Sequence, residues 1–115
     1  MYKVLYISDE LDKDFKNIFD KKFFNTKNTF YKNDISSQLD NINLVFLNKP
    51  KDTFIKILKL KSNYPETKFV ISINDIYPHK MIEIINNYAD EVILDNKNIY
   101  KELIKNGLNS ELLSK

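Results

Sequence analysis

The feature of this sequence that most constrains its fold is the alternation, five times over, of a short apolar run with a stretch of helical periodicity. This rhythm is typical of α/β domains built on a parallel sheet. The runs are mostly continuous in apolar residues, as expected for strands that helices cover on both faces. The predicted strands are residues 3–7, 28–31, 43–47, 68–73 and 91–94. The second is the least apolar of the five and suits a sheet edge.

Between the strands, apolar residues recur at helical spacing. A short helix is predicted over residues 34–39, and another from Asp52 or Thr53, both good capping residues, to the turn at Pro65. The other three helices have well-defined apolar faces. These faces are formed by Leu11, Phe15, Ile18, Phe19 and Phe23, by Met81, Ile84, Ile85 and Tyr88, and by Ile99, Leu103, Ile104, Leu108 and Leu112.

Five βα units joined by right-handed crossovers predict a flavodoxin-like (βα)5 three-layer sandwich with strand order 2-1-3-4-5. The whole chain, residues 1–115, is expected to form one domain, because its length suits a single core. In such a sheet, ligands bind beyond the carboxyl ends of the strands, where the strand order reverses. The candidate site therefore lies just after residues 7, 47, 73 and 94.

Composition and charge exclude several classes of function. The net charge is +2, with 18 basic and 16 acidic residues, so no concentrated basic face for nucleic acid is expected. The chain has no Cys and no apolar run long enough for a membrane span, and its N-terminus does not resemble a signal peptide. A cytoplasmic protein is expected. The only glycine, Gly107, lies in the last predicted helix, which excludes a glycine-rich phosphate loop.

Polar residues follow the first, third, fourth and fifth predicted strands. Around these positions the sequence resembles that of a known family. "VLYISDE", "NLVFLNKP", "PETKFVISI" and "YADEVILDN" are similar, in order and spacing, to the segments around the phosphorylation site of response-regulator receiver domains. In that family, two acidic residues and an acceptor aspartate hold Mg²⁺. The resemblance places Ser8 and Asp9, followed by Glu10, at the acidic pair and Asn48 at the acceptor. Asp9 alone is a weak start for a magnesium site, so tight Mg²⁺ binding is not expected.

The other positions that the resemblance assigns are also changed. The family's hydroxyl residue at the end of the fourth strand falls on Ile73, with Ser72 or Asn74 as the alternatives if the register differs by one. Asp95 stands at the family's lysine, and Val92 at its aromatic switch position. An amide at position 48 is a weak nucleophile without anionic charge, so no acyl phosphate is expected there.

Structural interpretations compete with these assignments. Asp9 and Glu10 could be acids of a first helical turn, favoured by the helix dipole. Asn48 could be a turn residue, and Lys49 either a solvated loop residue or an internal counter-ion. His79, the sole histidine, is interpreted as a surface or capping residue rather than a phosphocarrier or a metal ligand.

The function that the resemblance favours is a phosphorylation-independent receiver-like module that binds another protein or a second copy of itself, not an enzyme. The interaction face implied by the family covers residues 78–88, 91–95 and 99–113. One alternative is a divergent receiver phosphorylated at Asp9, Asp52 or Asp95, and another is a sensor of a small ligand in the same crevice. The residues leave open whether the domain stands alone or is the N-terminal part of a longer DNA-binding regulator.

Overall fold

A single parallel sheet organises the chain. The computed structural model describes residues 2–9, 24–50 and 54–113. The sheet order is β2-β1-β3-β4-β5, the flavodoxin-like order predicted from the sequence. Its strands are β1 (Tyr2–Ser8), β2 (Phe24–Phe30), β3 (Leu44–Asn48), β4 (Lys68–Ile73) and β5 (Glu91–Leu94).

Three α-helices lie in the described part of the chain: α1 (Phe54–Lys59), α2 (His79–Tyr88) and α3 (Tyr100–Lys105). Single turns of 3₁₀ helix occur at Ser36–Gln38, Leu60–Asn63, Lys97–Ile99 and Ser110–Leu112. The helix predicted over residues 11–23, and the predicted start of the next one at Asp52 or Thr53, lie outside the described residues. No described helix is long and apolar enough to cross a membrane.

The core has two parts because successive side chains of a strand point to opposite faces of the sheet. The larger cluster joins alternate strand residues such as Leu5, Ile71 and Ile73 to Leu58 of α1 and Ile82 of α2. The smaller cluster contains Tyr6, Phe46 and Val70. The rings of Tyr6 and Phe46 stack with centroids 5.2 Å apart and planes 6° from parallel.

Strand β2 differs from the prediction, which placed it at residues 28–31. It runs over Phe24–Phe30, in parallel register with β1 from Tyr2 opposite Phe24 to Ser8 opposite Phe30. Its sequence, FNTKNTF, has no apolar run because an edge strand needs to bury only part of its surface. Pairing with β1, rather than local hydrophobicity, therefore sets its limits.

The last predicted helix is also wrong in extent, since it was expected to run unbroken to residue 112. It ends at Lys105, and Gly107 follows with φ +103°, a left-handed conformation that glycine adopts without steric cost and that commonly ends helices. Asn109 then caps a 3₁₀ turn, its side chain accepting a hydrogen bond from the Glu111 N–H. The apolar periodicity did not reveal that the helix ends at Lys105, although Gly107 was a sequence signal for a helix end.

Helix α2 is fastened to the turn that follows α3. His79 Nδ1 lies 2.9 Å from the carbonyl oxygen of Asn106, and its Nε2 lies 2.9 Å from Glu83 Oε1 one turn along α2. The structure thus gives this exposed histidine a bridging role at the surface. The pKa of His79 is raised, first by the hydrogen bond to the Asn106 carbonyl and then by the Glu83 carboxylate.

This raised pKa predicts a pH-dependent contribution to stability. Because the folded state binds the proton more tightly than the unfolded state, the contribution is complete below the unfolded pKa of about 6.5 and is lost as pH rises through the folded value. Urea unfolding at pH 5.5 and pH 8.5 should show a stability difference between the wild type and His79→Gln at the lower pH only. An equal difference at both pH values would contradict the prediction.

At the amino ends of the strands, hydrogen bonds of Asp90 and Lys61 connect the segments that precede β4 and β5. Asp90 Oδ2 accepts hydrogen bonds from the Phe69 N–H at 2.7 Å and from Lys61 Nζ at 2.8 Å. Lys61 Nζ also donates to the carbonyl oxygens of Pro65, at 3.2 Å, and Thr67, at 2.5 Å. This network lies at the opposite end of the sheet from the candidate site, so its role is structural.

Candidate functional site

The carboxyl ends of β1, β3 and β4 bring together a group of buried polar residues. Ser8, Asn48 and Ser72 are all buried, and Asn48 lies opposite Ser72 in the β3–β4 register. Ser8 Oγ is 3.4 Å from Asn28 Oδ1 on the edge strand. β3 thus ends in an amide that lies beside a hydroxyl near the end of β4.

The loop after β3 has an unusual backbone. Lys49 has φ +45°, a left-handed conformation that costs a side-chain-bearing residue about 1 kcal/mol or more. Its N–H donates a 2.9 Å hydrogen bond to the carbonyl oxygen of Ser72, which extends the β3–β4 pairing beyond the strand. Contacts with neighbouring residues must therefore stabilise a backbone conformation that Lys49 does not favour by itself.

Two tyrosine hydroxyls stabilise the loop after β3 by donating hydrogen bonds to it. Tyr31, just after β2, donates its hydroxyl to the carbonyl oxygen of Asn48 at 3.1 Å. Tyr77, in the loop after β4, donates its hydroxyl to the carbonyl oxygen of Pro50 in a short, buried hydrogen bond. The loop is thus fastened on both sides, and we call these two contacts the tyrosine clamp.

Sequence reasoning missed the tyrosine clamp, although its signal was present. Each tyrosine lies within four residues of a strand's carboxyl end, and a buried tyrosine hydroxyl usually finds a hydrogen-bond partner. The pKa of Tyr31 is raised far above its ordinary value, mainly by burial and further by Tyr77 and Asp9. The Tyr31 hydroxyl therefore keeps its proton and remains a donor.

Charge at the site is carried by an ion pair between loops. Lys49 Nζ lies 3.3 Å from Asp95 Oδ2, and their side chains are 33% and 47% exposed. Lys49 was interpreted either as a solvated loop residue or as an internal counter-ion. The structure shows it as the counter-ion of Asp95. Pairs this exposed contribute at most about 1 kcal/mol, so the contact sets local charge more than it stabilises the fold.

The other predicted positions are divided between the site and the core. Ile73 is fully buried on the same face of β4 as Ile71, so its side chain belongs to the larger core cluster. Ser72 points to the opposite face and is the residue in register with Asn48. Val92 is also buried in the larger cluster. Glu10 lies outside the described residues.

The magnesium site that the resemblance implies does not fit the residues described. Asp9 is exposed just after β1, and β3 ends in the amide of Asn48, followed by Lys49, where the family has its acceptor. In the described part of the chain, no three His, Cys, Asp or Glu residues lie close enough together to hold a metal ion. Lys49 beside Asp95 adds a positive charge where a dication would need carboxylates.

A cleft of about 360 Å³ opens next to the clamped loop. Ile35, Ile57 and Leu60 form its apolar floor, and Tyr31 connects it to the β3 loop. Lys56, on α1, is the one cation among its lining residues. The volume is at the small end of those that bind organic ligands.

Comparison with known proteins identifies the fold. No protein-family model matches the chain, and no curated protein sequence matches it. Among solved structures, a CheY-like response regulator receiver domain protein from Methanospirillum hungatei JF-1 aligns with 92% of this chain and 96% of its own, with TM-score 0.66 and 14% identity. A response regulator from Thermotoga maritima aligns with 91% and 96%, with TM-score 0.60 and 18% identity.

A different protein aligns over more of the chain. Anabaena HepE, solved in complex with UDP and glucose, matches 99% of this chain and 43% of its own length, with TM-score 0.65 and 11% identity. At these identities the likeness establishes the fold alone. The chain therefore has the flavodoxin-like fold of response-regulator receiver domains over about nine-tenths of its length.

Proposed function

We propose that this chain is a receiver-type signalling domain that works without phosphorylation at position 48 and acts by binding a protein partner or a second copy of itself. The observation that carries the proposal is the state of the loop after β3. An amide occupies the acceptor position, the next residue pairs with Asp95, and two tyrosines hold the loop. A domain with this loop is suited to presenting a fixed surface rather than to responding to a phosphoryl group.

Charge supports this proposal. Phosphoryl transfer needs cations around the incoming phosphoryl group, usually a metal ion and a lysine. Here the residue that follows β5, Asp95, is acidic, and Lys49 in the loop after β3 is paired with it at 3.3 Å. Restoring an aspartate at position 48 would add a carboxylate beside Lys49, whose charge Asp95 already partly neutralises.

The first test is phosphorylation. Wild type and Asn48→Asp are incubated with acetyl phosphate and Mg²⁺ and then weighed by intact mass spectrometry, with circular dichroism to confirm folding. We expect neither protein to gain the mass of a phosphoryl group. A modified wild type, with the site mapped to Asp9, Asp52 or Asp95, would support the divergent-receiver alternative. Ready modification of Asn48→Asp alone would contradict the proposed loss of the pocket.

The interaction face proposed by resemblance comprises α2, β5 and α3. Tyr100, at the start of α3, is one of the large exposed hydrophobic side chains and lies within this face. We expect light scattering over a concentration series to show self-association that Tyr100→Ser weakens. Tyr2→Ser, at an exposed tyrosine of β1, is the matched control and should leave association unchanged. A monomer at every concentration would restrict the proposal to a different protein as partner.

A second candidate function is favoured by the alignment with HepE. That protein was solved with UDP and glucose, and this chain corresponds to less than half of it. In this alternative the crevice beyond the strand ends is part of a site for a nucleotide or sugar. Titration of the ¹⁵N-labelled chain with UDP and with UDP-glucose decides: shifts confined to the amides near Ser8, Asn48 and Asn74 would support it, and unchanged spectra would remove it.

A further inference from the structure

The cleft beside Tyr31 lies between the segment that follows β2 and helix α1. The helix predicted over residues 34–39 is replaced in this segment by a single 3₁₀ turn, Ser36–Gln38. A short turn covers less of α1 than a full helix would, so Ile57 and Leu60 line the cleft as part of its apolar floor. The volume of about 360 Å³ suits one small organic molecule.

Hydrogen bonds fix the wall of the cleft to which Asp34 belongs. Ser36 Oγ donates to Asp34 Oδ1 at 2.7 Å, and Ser37 Oγ and Gln38 Nε2 donate to the Asp34 carbonyl oxygen at 3.1 and 2.8 Å. The pKa of Asp34 is lowered, first by the hydrogen bond from the Ser36 hydroxyl, so its side chain is a carboxylate at neutral pH. This wall is therefore preformed and carries a negative charge.

The wall formed by α1 carries a positive charge. Lys56 lines the cleft from this helix, and its side chain is exposed. Among the described residues, neither Lys56 nor Asp34 forms an ion pair, with each other or with a third residue. The cleft thus offers a ligand one anionic group, one cationic group and an apolar floor between α1 and the turn.

From this arrangement we propose that the cleft binds one free α-amino acid with an apolar side chain. The ligand's ammonium group lies at Asp34, its carboxylate at Lys56, and its side chain over the apolar floor. A phosphate ester would meet the like charge of Asp34, and a simple amine or carboxylic acid would leave one charge unmatched. Because exposed ion pairs contribute little, the apolar side chain supplies most of the affinity, and the dissociation constant is expected to be on the order of 1 mM.

Tyr31 connects this site to the loop after β3. It lines the cleft, and its hydroxyl donates to the carbonyl oxygen of Asn48 at 3.1 Å. A ligand packed against Tyr31 therefore acts on the loop that the tyrosine clamp holds. Of the described residues at the strand ends, Ser8 and Ser72 do not line the cleft, so this site is separate from the crevice beyond the strands.

The experiment is titration of the ¹⁵N-labelled chain with L-leucine and, separately, with L-phenylalanine, followed by NMR. We expect at least one of them to shift the amides of Ile35, Ile57 and Leu60, with a smaller shift at Lys49. Leucinamide, which lacks the carboxylate, and 4-methylpentanoate, which lacks the ammonium group, should each bind about three- to fivefold more weakly than leucine. Glycine, without a side chain, should give no shift at the same concentrations.

Two variants remove the charges of the cleft one at a time. Lys56→Gln and Asp34→Asn should each weaken binding of the amino acid about three- to fivefold. Lys59→Gln, on the same helix but outside the cleft, and Asp40→Asn, at an exposed position elsewhere, are the matched controls and should leave binding unchanged. The spectra of the unliganded variants confirm that each one is folded.

Three results would overturn the proposal. The first is the absence of shifts with both amino acids at about ten times the expected dissociation constant. The second is equal binding of leucine, leucinamide and 4-methylpentanoate, which would show that the charges of the cleft select nothing. The third is a set of shifts confined to Ser8, Asn48 and Asn74, which would place the ligand in the crevice beyond the strand ends.

Discussion

Replacing Asp90 with alanine is expected to lower the free energy of unfolding by about 2 to 3 kcal/mol, because the carboxylate makes charge-assisted hydrogen bonds to two different elements. One comes from the Phe69 N–H at the start of β4 and the other from Lys61 after α1, at 2.7 and 2.8 Å. Without the carboxylate, the Phe69 amide loses its acceptor and Lys61 keeps only carbonyl partners. Urea denaturation measures the loss.

Two controls make the Asp90 result specific. Asp90→Asn keeps an oxygen acceptor but removes the charge, so it should cost less than the alanine variant. Asp40→Ala removes an exposed carboxylate elsewhere and should change stability by no more than about 0.5 kcal/mol. An Asp90→Ala variant as stable as Asp40→Ala would show that solvent replaces these bonds at no cost.

Alkaline pH is expected to lower the free energy of unfolding through Tyr31 of the tyrosine clamp. The pKa of Tyr31 is raised in the folded state, so the folded chain holds the phenolic proton while the unfolded chain releases it near pH 10. The stability due to this group is therefore complete below about pH 10 and is lost as pH rises through the folded value. The expected slope from Tyr31 is about 1.4 kcal/mol per pH unit above 10.

Comparison with Tyr31→Phe isolates this slope, since every other titratable group is the same in the two proteins. At neutral pH the phenylalanine variant should lose about 1 kcal/mol, the net value of one hydrogen bond. Above pH 10 its stability should fall less steeply than that of the wild type. Tyr100→Phe, at an exposed position, controls for the loss of a hydroxyl. Parallel curves for wild type and Tyr31→Phe would contradict the buried, protonated hydroxyl.

Much of the fold follows from the sequence, because the interior strands must be apolar on both faces. β4 and β5 begin and end at the predicted residues, and β1 and β3 differ from the predicted ranges by one residue at each end. β2 was misplaced because its pairing, and not its composition, defines it. The break at Gly107 was missed because the apolar spacing continues through it to Leu108 and Leu112, whose burial requires no helix.

The sequence predicted where the candidate site lies, but not which contacts its side chains make. Sheet topology placed Asn48 and Asp95 at the same edge, and resemblance supplied their roles. The ion pair of Lys49 with Asp95 and the tyrosine clamp depend on a left-handed backbone at Lys49. Local sequence does not reveal that conformation, because three neighbouring loops impose it together.

The all-parallel sheet has a consequence for how the chain reaches its native state. In the described sheet every neighbouring pair of strands is parallel, so no local hairpin can start it and each ladder must wait for a crossover to close. Val4 pairs with Leu44, and Asn48 lies at the end of that central strand. The candidate site therefore has no precursor in any short fragment of the chain. During synthesis it can assemble fully only after β4 and the residue that follows β5, Asp95, have emerged to join β1 and β3.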